Sequence, residues 1–263
     1  MSDSDVEGGL KSVATALDLL DCFTLDEELG VSEVARRLGV AKSTAHRLLT
    51  TLASRGLIAQ SSETGRYRLG LHLFELGQLA LNRLELRRRS VTLLEELREV
   101  SGWTVHLSIA HGSDTLFLER LPTLRGMQVM TEFRRRWPLH ATSSGKALCA
   151  YDPEAALARI NAGFPVYTTR TISNAPQFRA ELAAVRRVGY ATSREELMYR
   201  LASVAAPVLD QHGIAIAAIS ITGSVGELSE HKDRQVRLVM TAAKHLTKLM
   251  ATKDRSAADA SDR

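Results

Sequence analysis

The stretch from Val31 to Gly56, VSEVARRLGVAKSTAHRLLTTLASRG, constrains this chain more than any other. Two short helical periods lie in it with only a few residues between them, a spacing that admits little besides a helix-turn-helix. In the first, Val34, Ala35 and Leu38 recur on one side while Glu33, Arg36 and Arg37 fall on the other. Ser32 reads as its N-cap and Gly39 as its stop. In the second, Ser43 reads as the cap, Ala45, Leu48, Leu49 and Leu52 form the apolar stripe, and Gly56 ends the helix. With Ser43 at its start, the opposite face carries Lys42, Thr44, His46, Arg47, Thr50 and Thr51. These are the short polar and basic types that hydrogen-bond phosphates and base edges in a major groove wide enough for one helix.

The placement of charge supports that reading. The whole chain is only +4, but Arg36, Arg37, Lys42, Arg47, Arg55, Arg66 and Arg68 face just Glu33 and Glu63 between Val31 and Gly70, a local excess of +5. A basic field of this kind is expected of a phosphate-binding surface. After Gly56 the period changes. Leu57 to Ala59 reads as a short strand, SSETG as a turn and Arg66 to Leu69 as the returning strand. This hairpin is a wing, and the alternation of side chains puts Arg66 and Arg68 on one face, beside the second helix and suited to phosphates or a flanking minor groove.

The rest of the chain is longer than one small domain needs. At 263 residues with an ordinary apolar content, two domains are expected. A first helix is expected from Ser12 to Phe23, with Val13, Ala16, Leu17, Leu20 and Phe23 inward, and a helix over Leu71 to Leu86 is apolar around so much of its surface that it must bury against more than one neighbour. A dimer would supply that neighbour. Arg87, Arg88 and Arg89 mark the change of domain, and another amphipathic helix runs to Val100. Beyond Gly102 strands and helices mix: a hairpin around HGSD, a strand from Met127 to Glu132, helices at 144–150, 153–161 and 176–188, strands at 201–208 and 214–222, and a helix from Ser229 to Ala251 before a loose polar tail. That pattern defines an α+β domain. Cys22 and Cys149 have neither disulfide-framework nor zinc spacing, which fits a reducing cytoplasm. The longest apolar run, Ile214 to Ile221, is well short of the ~20 residues of a membrane span, and MSDSDVEGGL has no leader pattern.

The runs ARRLGVAKSTAHRLLTTLASRGLI, GRYRLG, HATSSGKAL, RRVGYATSREE, SVAAPVLD and AISITG, in that order, resemble the IclR family of bacterial transcriptional regulators over about Leu10 to Met250. The resemblance implies a winged helix-turn-helix domain over residues 10–70, a linker helix over 71–86 and a GAF-like α+β effector-binding domain over 87–251. It implies double-stranded operator DNA, a small organic effector and a homodimer, often a dimer of dimers, with no membrane, cofactor, metal or catalytic residue. Carried over residue by residue, the effector lining is Ser143, Ser144, Ser193, Ser203, Ser220 and Thr222, with Met127 and Val129 as apolar wall. Ser193 stands where many members have Asp, and Arg200 and Ser203 where many have Gly and Cys. The missing acid, with Arg200 nearby, favours an anionic effector, and RLASVAAPV looks like members that regulate aromatic-acid breakdown; a small carboxylate is expected.

An enzyme using the C-terminal domain is the alternative. No H-E-x-x-H, G-x-S-x-G or G-x-G-x-x-G occurs, and SSGKA lacks the upstream Gly of a phosphate loop, which leaves only His106, His111 and His140 for the fold to bring together. A DNA-packing protein without a ligand would leave the second domain unexplained. The pocket serines have a plain reading as well, since hydroxyls at strand ends often bond their own backbone.

Overall fold

The computed structural model describes residues 10–24, 26–124 and 134–261, with side chains of the last helix described as far as Ala251. The chain divides after Arg83 into two compact units. In the first, α1 (Lys11–Asp21) runs into a 3-10 turn and is followed by α2 (Val31–Leu38), α3 (Lys42–Ser54), the antiparallel hairpin β1 (Ile58–Gln60) and β2 (Tyr67–Leu69), and α4 (Leu71–Arg83). Its core gathers Leu19, Phe23, Val34, Ala45, Leu49 and Ile58. A fully buried Leu of this kind contributes roughly 1.5–3 kcal/mol.

The caps differ from the sequence expectation. Gly30, not Ser32, is the N-cap of α2: its extended backbone leaves its N–H to donate to the Glu33 carboxylate at 2.8 Å. Ala41, not Ser43, precedes α3 and makes no side-chain cap, so Ser43 lies exposed in the first turn. The inward stripe of α1 is also rotated. Leu19 is fully buried, whereas Val13 and Leu17 are more than half exposed and line a groove of about 550 Å³ against Leu48, Leu52 and Leu57.

The helix expected from Leu71 to Leu86 is two helices. α4 stops at Arg83, Leu84 is extended (φ −71°, ψ 106°), and α5 (Glu85–Ser101) starts anew. Restarting there puts the Glu85 carboxylate at the electropositive end of α5, where it takes Arg89 at 2.7 Å and Arg88 at 3.7 Å. Arg87 pairs with Glu119, so the triple arginine is engaged with acids of its own unit.

The second unit is built on one antiparallel sheet of order β5-β4-β3-β8-β7-β6, with β3 (Thr104–His111), β4 (Asp114–Leu121), β5 (Arg136–Pro138), β6 (Ala191–Arg194), β7 (Leu201–Leu209) and β8 (Ala215–Ser224). β7 and β8 are buried on both faces, and by alternation Ser203, Ala205, Ala218, Ser220 and Thr222 share one of them. That face carries α6 (Ser143–Tyr151) and α8 (Ala175–Val188), which pack Leu148, Phe178 and Leu182 around Ala205 and Ala218. α7 (Pro153–Ala162), capped by Asp152, lies beside α6. α9 (Val225–Glu230) and α10 (Lys232–Ser261) end the fold, and α5 and α10 pack on each other and on the sheet. The expected final helix thus breaks at His231 and continues past Ala251 into the stretch read as a loose tail. The strand expected at Met127–Glu132 lies outside the described residues, while β5 and β6 were not expected. Among the described residues no helix is long and apolar enough to cross a membrane, and both cysteines are free.

Gly145 shows what SSGKA is for. A Cβ there would lie 2.1 Å from the carbonyl oxygen of Leu139, so the glycine lets the first turn of α6 press against the chain before it, with the Thr142 hydroxyl accepting the Gly145 N–H at 3.0 Å. It is a packing glycine at the mouth of a cavity.

Candidate functional site

In the N-terminal unit, α3 buries Ala45, Leu49 and Leu52 and exposes Lys42, Ser43, Thr44, His46, Arg47 and Thr50. The Thr50 and Thr51 hydroxyls donate to the carbonyls of His46 and Arg47, each at 2.8 Å, which leaves their oxygens and methyls outward. The hairpin sets its two arginines apart. β2 begins at Tyr67, and Arg66 reaches back toward α2 to donate to the Glu33 carboxylate at 2.7 Å and the Glu28 carbonyl at 3.0 Å. Glu33 is held below the usual carboxylate range first by the Gly30 N–H and then by Arg66. Arg68 is the exposed member of the pair, while Arg66 is half-buried and held by the carboxylate that caps α2.

In the C-terminal unit a small cavity lies between the sheet and the start of α6. The Ser143 hydroxyl donates to Ser203 at 2.7 Å, Ser144 to Ser220 at 2.9 Å, and Ser193 to the Ala141 carbonyl at 3.3 Å. Strand register brings these together: Ser193 pairs with Ser203, Ser203 with Thr222, and Ser220 with His106. All six serine and threonine residues expected of the pocket therefore line one cavity, while Met127 and Val129 lie outside the described residues. Sequence reasoning missed the walls, which are His106, Phe117, Trp137, Leu197 and Leu201. Only His106 had a signal, as the residue of VHLSIA opposite in phase to Val105, Leu107 and Ile109.

Among the described residues no Lys, Arg, Asp or Glu lines the cavity. Burial, with Arg120 adding repulsion, pushes His106 down to about 3, so its imidazole is neutral; the ring stands edge-on to Phe117 at 5.0 Å. Arg200 is exposed at φ +66° and is not part of the lining. Leu197 belongs to a firmly tied segment. The Lys146 ammonium, 1% exposed, reaches Glu196 at 2.7 Å and Glu181 at 3.0 Å, and the Thr168 and Thr171 hydroxyls donate to the carbonyls of Glu195 and Glu196 at 2.5 and 2.6 Å. Burial raises the Glu196 carboxyl against the opposing pull of Lys146.

The three histidines available to an enzyme have separate surroundings. His111 is exposed beside Arg136 at 3.0 Å, and His140 is buried against the Pro165 carbonyl at 3.0 Å and pushed down to about 4, mainly by burial. Among the described residues no group of three His, Cys, Asp or Glu side chains forms a metal site.

An exposed polar helix in a winged helix-turn-helix, joined in one chain to an α+β unit holding a hydroxyl-lined cavity, defines a DNA-binding regulator. Residues 12–62 match the IclR helix-turn-helix domain and residues 78–248 the bacterial transcriptional regulator IclR C-terminal domain. The chain belongs to the IclR family of bacterial transcriptional regulators. It is 36% identical over 214 residues to the glycerol operon regulatory protein of Streptomyces coelicolor, covering 81% of this chain and 84% of that one. It is 30% identical to the HTH-type transcriptional regulator KdgR of Escherichia coli, covering 97% and 99%. An IclR homolog from Microbacterium hydrocarbonoxydans, crystallised with 4-hydroxybenzoate, superposes with a TM-score of 0.77 at 26% identity, covering 90% and 98%. The relatives are named as regulators and repressors, not enzymes.

Proposed function

We propose that the chain binds double-stranded operator DNA through Lys42, Ser43, Thr44, His46, Arg47 and Thr50 of α3 and Arg68 of the wing, as a homodimer, under control of a small organic acid held in the C-terminal cavity. Arg66 holds the wing to α2. The absent side-chain cap on α3 leaves first-turn amides and the Ser43 hydroxyl for a phosphate, which helix N-termini favour.

The observation that carries the effector reading is a cavity at the N-terminal end of α6 whose described lining is uncharged and bears hydroxyl donors. Each serine pair leaves one hydroxyl hydrogen for a further acceptor, since a hydroxyl can donate one bond while accepting another. Carboxylate oxygens suit those donors and the helix end, and the flat walls His106, Phe117 and Trp137 suit a ring. The relative crystallised with 4-hydroxybenzoate supports an aromatic acid. The cavity is about 30 Å³, against roughly 300–1,000 Å³ for ordinary ligand sites. A ligand of ordinary size therefore requires the surroundings of the cavity to rearrange. That gives it the unequal affinity for two arrangements that any switch requires.

The test is fluorescence anisotropy of a duplex selected from a random pool by the protein, titrated with and without 4-hydroxybenzoate and benzoate. Filling the site by Ser220→Leu or Ser203→Leu is expected to abolish the response while operator affinity without acid stays near the parent's. Ser220→Ala, which adds no bulk, controls for folding. Leu variants that respond as the parent does would place the effector elsewhere.

A further inference from the structure

Lys146 is a buried charge on α6. Its ammonium donates to the two carboxylate oxygens of Glu196 at 2.7 and 2.9 Å and to Glu181 at 3.0 Å, which meets all three of its N–H groups. Replacing a buried ion pair by apolar residues of similar volume often costs nothing, so stability alone does not account for a lysine here. Its position does. Lys146 lies within one turn of Ser143 and Ser144, which line the cavity, and Glu196 directly precedes Leu197, which packs with Phe117, Trp137 and Ala141 in the cavity wall.

Glu195 to Arg200 is the loop that joins β6 to β7, closed at its base where the Glu195 N–H donates to the Leu201 carbonyl at 2.7 Å. It faces the cavity at Leu197 and solvent at Tyr199, which is 56% exposed. Its first and last residues are the only described non-glycine residues at positive φ, 59° for Glu195 and 66° for Arg200. A residue with a Cβ holds that conformation at a cost, and only where its surroundings impose it. The ties that impose it come from two sides. The 168–171 turn supplies the Thr168 and Thr171 hydroxyls and the Arg170 guanidinium, 3.2 Å from the Glu195 carboxylate, and α6 supplies Lys146. Of these, only Lys146 belongs to the helix that bears the cavity serines.

We propose that Lys146 is a positioning residue of the effector site: through Glu196 it seats Leu197 in the cavity wall, and the Glu195–Arg200 loop is the lid that lifts about its two strained ends to admit a small molecule. The inference rests on the reading of the cavity as the effector's site, and it adds the part of the wall that moves and the pair that restrains it. The β6–β7 ladder begins at Arg194 and Ala202, outside the loop, so the lid lifts with the sheet intact. Local opening of such a segment is an equilibrium, and weakening its tie raises the open population without unfolding the rest.

Thiol labelling of the full chain with methyl methanethiosulfonate, followed site by site through peptide masses, tests it. Ser203→Cys puts a thiol in the cavity, and the native Cys149, 2% exposed in the core of the same unit, reports opening of the whole fold. In the Ser203→Cys background, Glu196→Gln turns the ion pair into a bond to a neutral acceptor of the same shape. It is expected to speed labelling of the introduced thiol about tenfold, the order of the difference between charged and neutral hydrogen bonds, while Cys149 keeps its rate. Lys146→Met removes the tie outright and should speed the introduced thiol further; if it does not fold, Glu196→Gln carries the test alone. A merely structural pair would speed both thiols by the same factor. Equal acceleration of the two, or an unchanged rate at the introduced thiol, overturns the inference. No acid enters this assay, so either result leaves the acid-effector reading to its own anisotropy test.

Discussion

Arg47 and Arg68 do different work if α3 reads bases and the wing touches backbone. Arg47→Ala is expected to lose ~1–3 kcal/mol of specific binding and to relax sequence preference, whereas Arg68→Ala should weaken binding to all sequences and lower the salt slope by about 1. Arg66→Ala should leave that slope unchanged, because its charge is already spent on Glu33 and the Glu28 carbonyl. Footprinting titrations of the three variants across salt concentrations check this, and an unaltered Arg47→Ala would remove the recognition-helix assignment. His106 makes a prediction about stability. Its folded value, about 3, lies far below the usual imidazole range, so as pH falls from about 6.5 toward 3 the unfolded chain takes up a proton that the folded chain refuses. Stability should fall across that window, this residue contributing about 1.4 kcal/mol per unit of pH. His106→Gln should flatten the slope of denaturant midpoints against pH by that share; an unchanged slope would mean that the imidazole is protonated in the fold. Residues such as Arg47 were legible because exposure in a short amphipathic helix follows from period alone. His106, Phe117 and Trp137 were not, because register brings positions together that no local pattern links.

α4 is the element with the clearest unmet need. None of its residues is buried in the chain alone, and Leu71, Phe74 and Leu79 are 81%, 62% and 53% exposed, in a unit that also leaves the apolar groove of Val13 and Leu17 open. Both surfaces are satisfied at once if a second copy supplies the complement of each, as a two-fold interface does. Sedimentation at micromolar concentration should therefore show a dimer, and Leu76→Glu with Leu79→Glu should shift it toward monomer and weaken operator binding through lost avidity. A wild-type monomer would contradict this. The same element marks a limit of sequence reading. Its apolar stripe was plain, but the break at Leu84 was not, since the pattern continues into Leu86 while the backbone restarts around Glu85 and its two arginines. Caps misled for a related reason: Ser32 and Ser43 have the right chemistry, yet the chain turns two residues earlier in each case, at Gly30 and Ala41. Strands of three or four residues such as β5 and β6 carry too little periodicity to be seen.

At the scale of the molecule, the two units and their order were legible from changes of period and from the ordered run of family motifs. The joint between Arg83 and Leu84 was not. The proposed function makes coupling between DNA binding and effector binding the chain's central property. Such coupling is a free energy shared by two sites, and it is reciprocal: whatever factor the effector imposes on operator affinity, operator must impose on effector affinity. The most direct measurement titrates 4-hydroxybenzoate calorimetrically into the protein alone and into the protein saturated with its selected operator duplex. The account predicts that the two dissociation constants differ by the same factor by which the acid changes operator affinity in anisotropy, roughly 5- to 150-fold. Equal dissociation constants with and without DNA would contradict it.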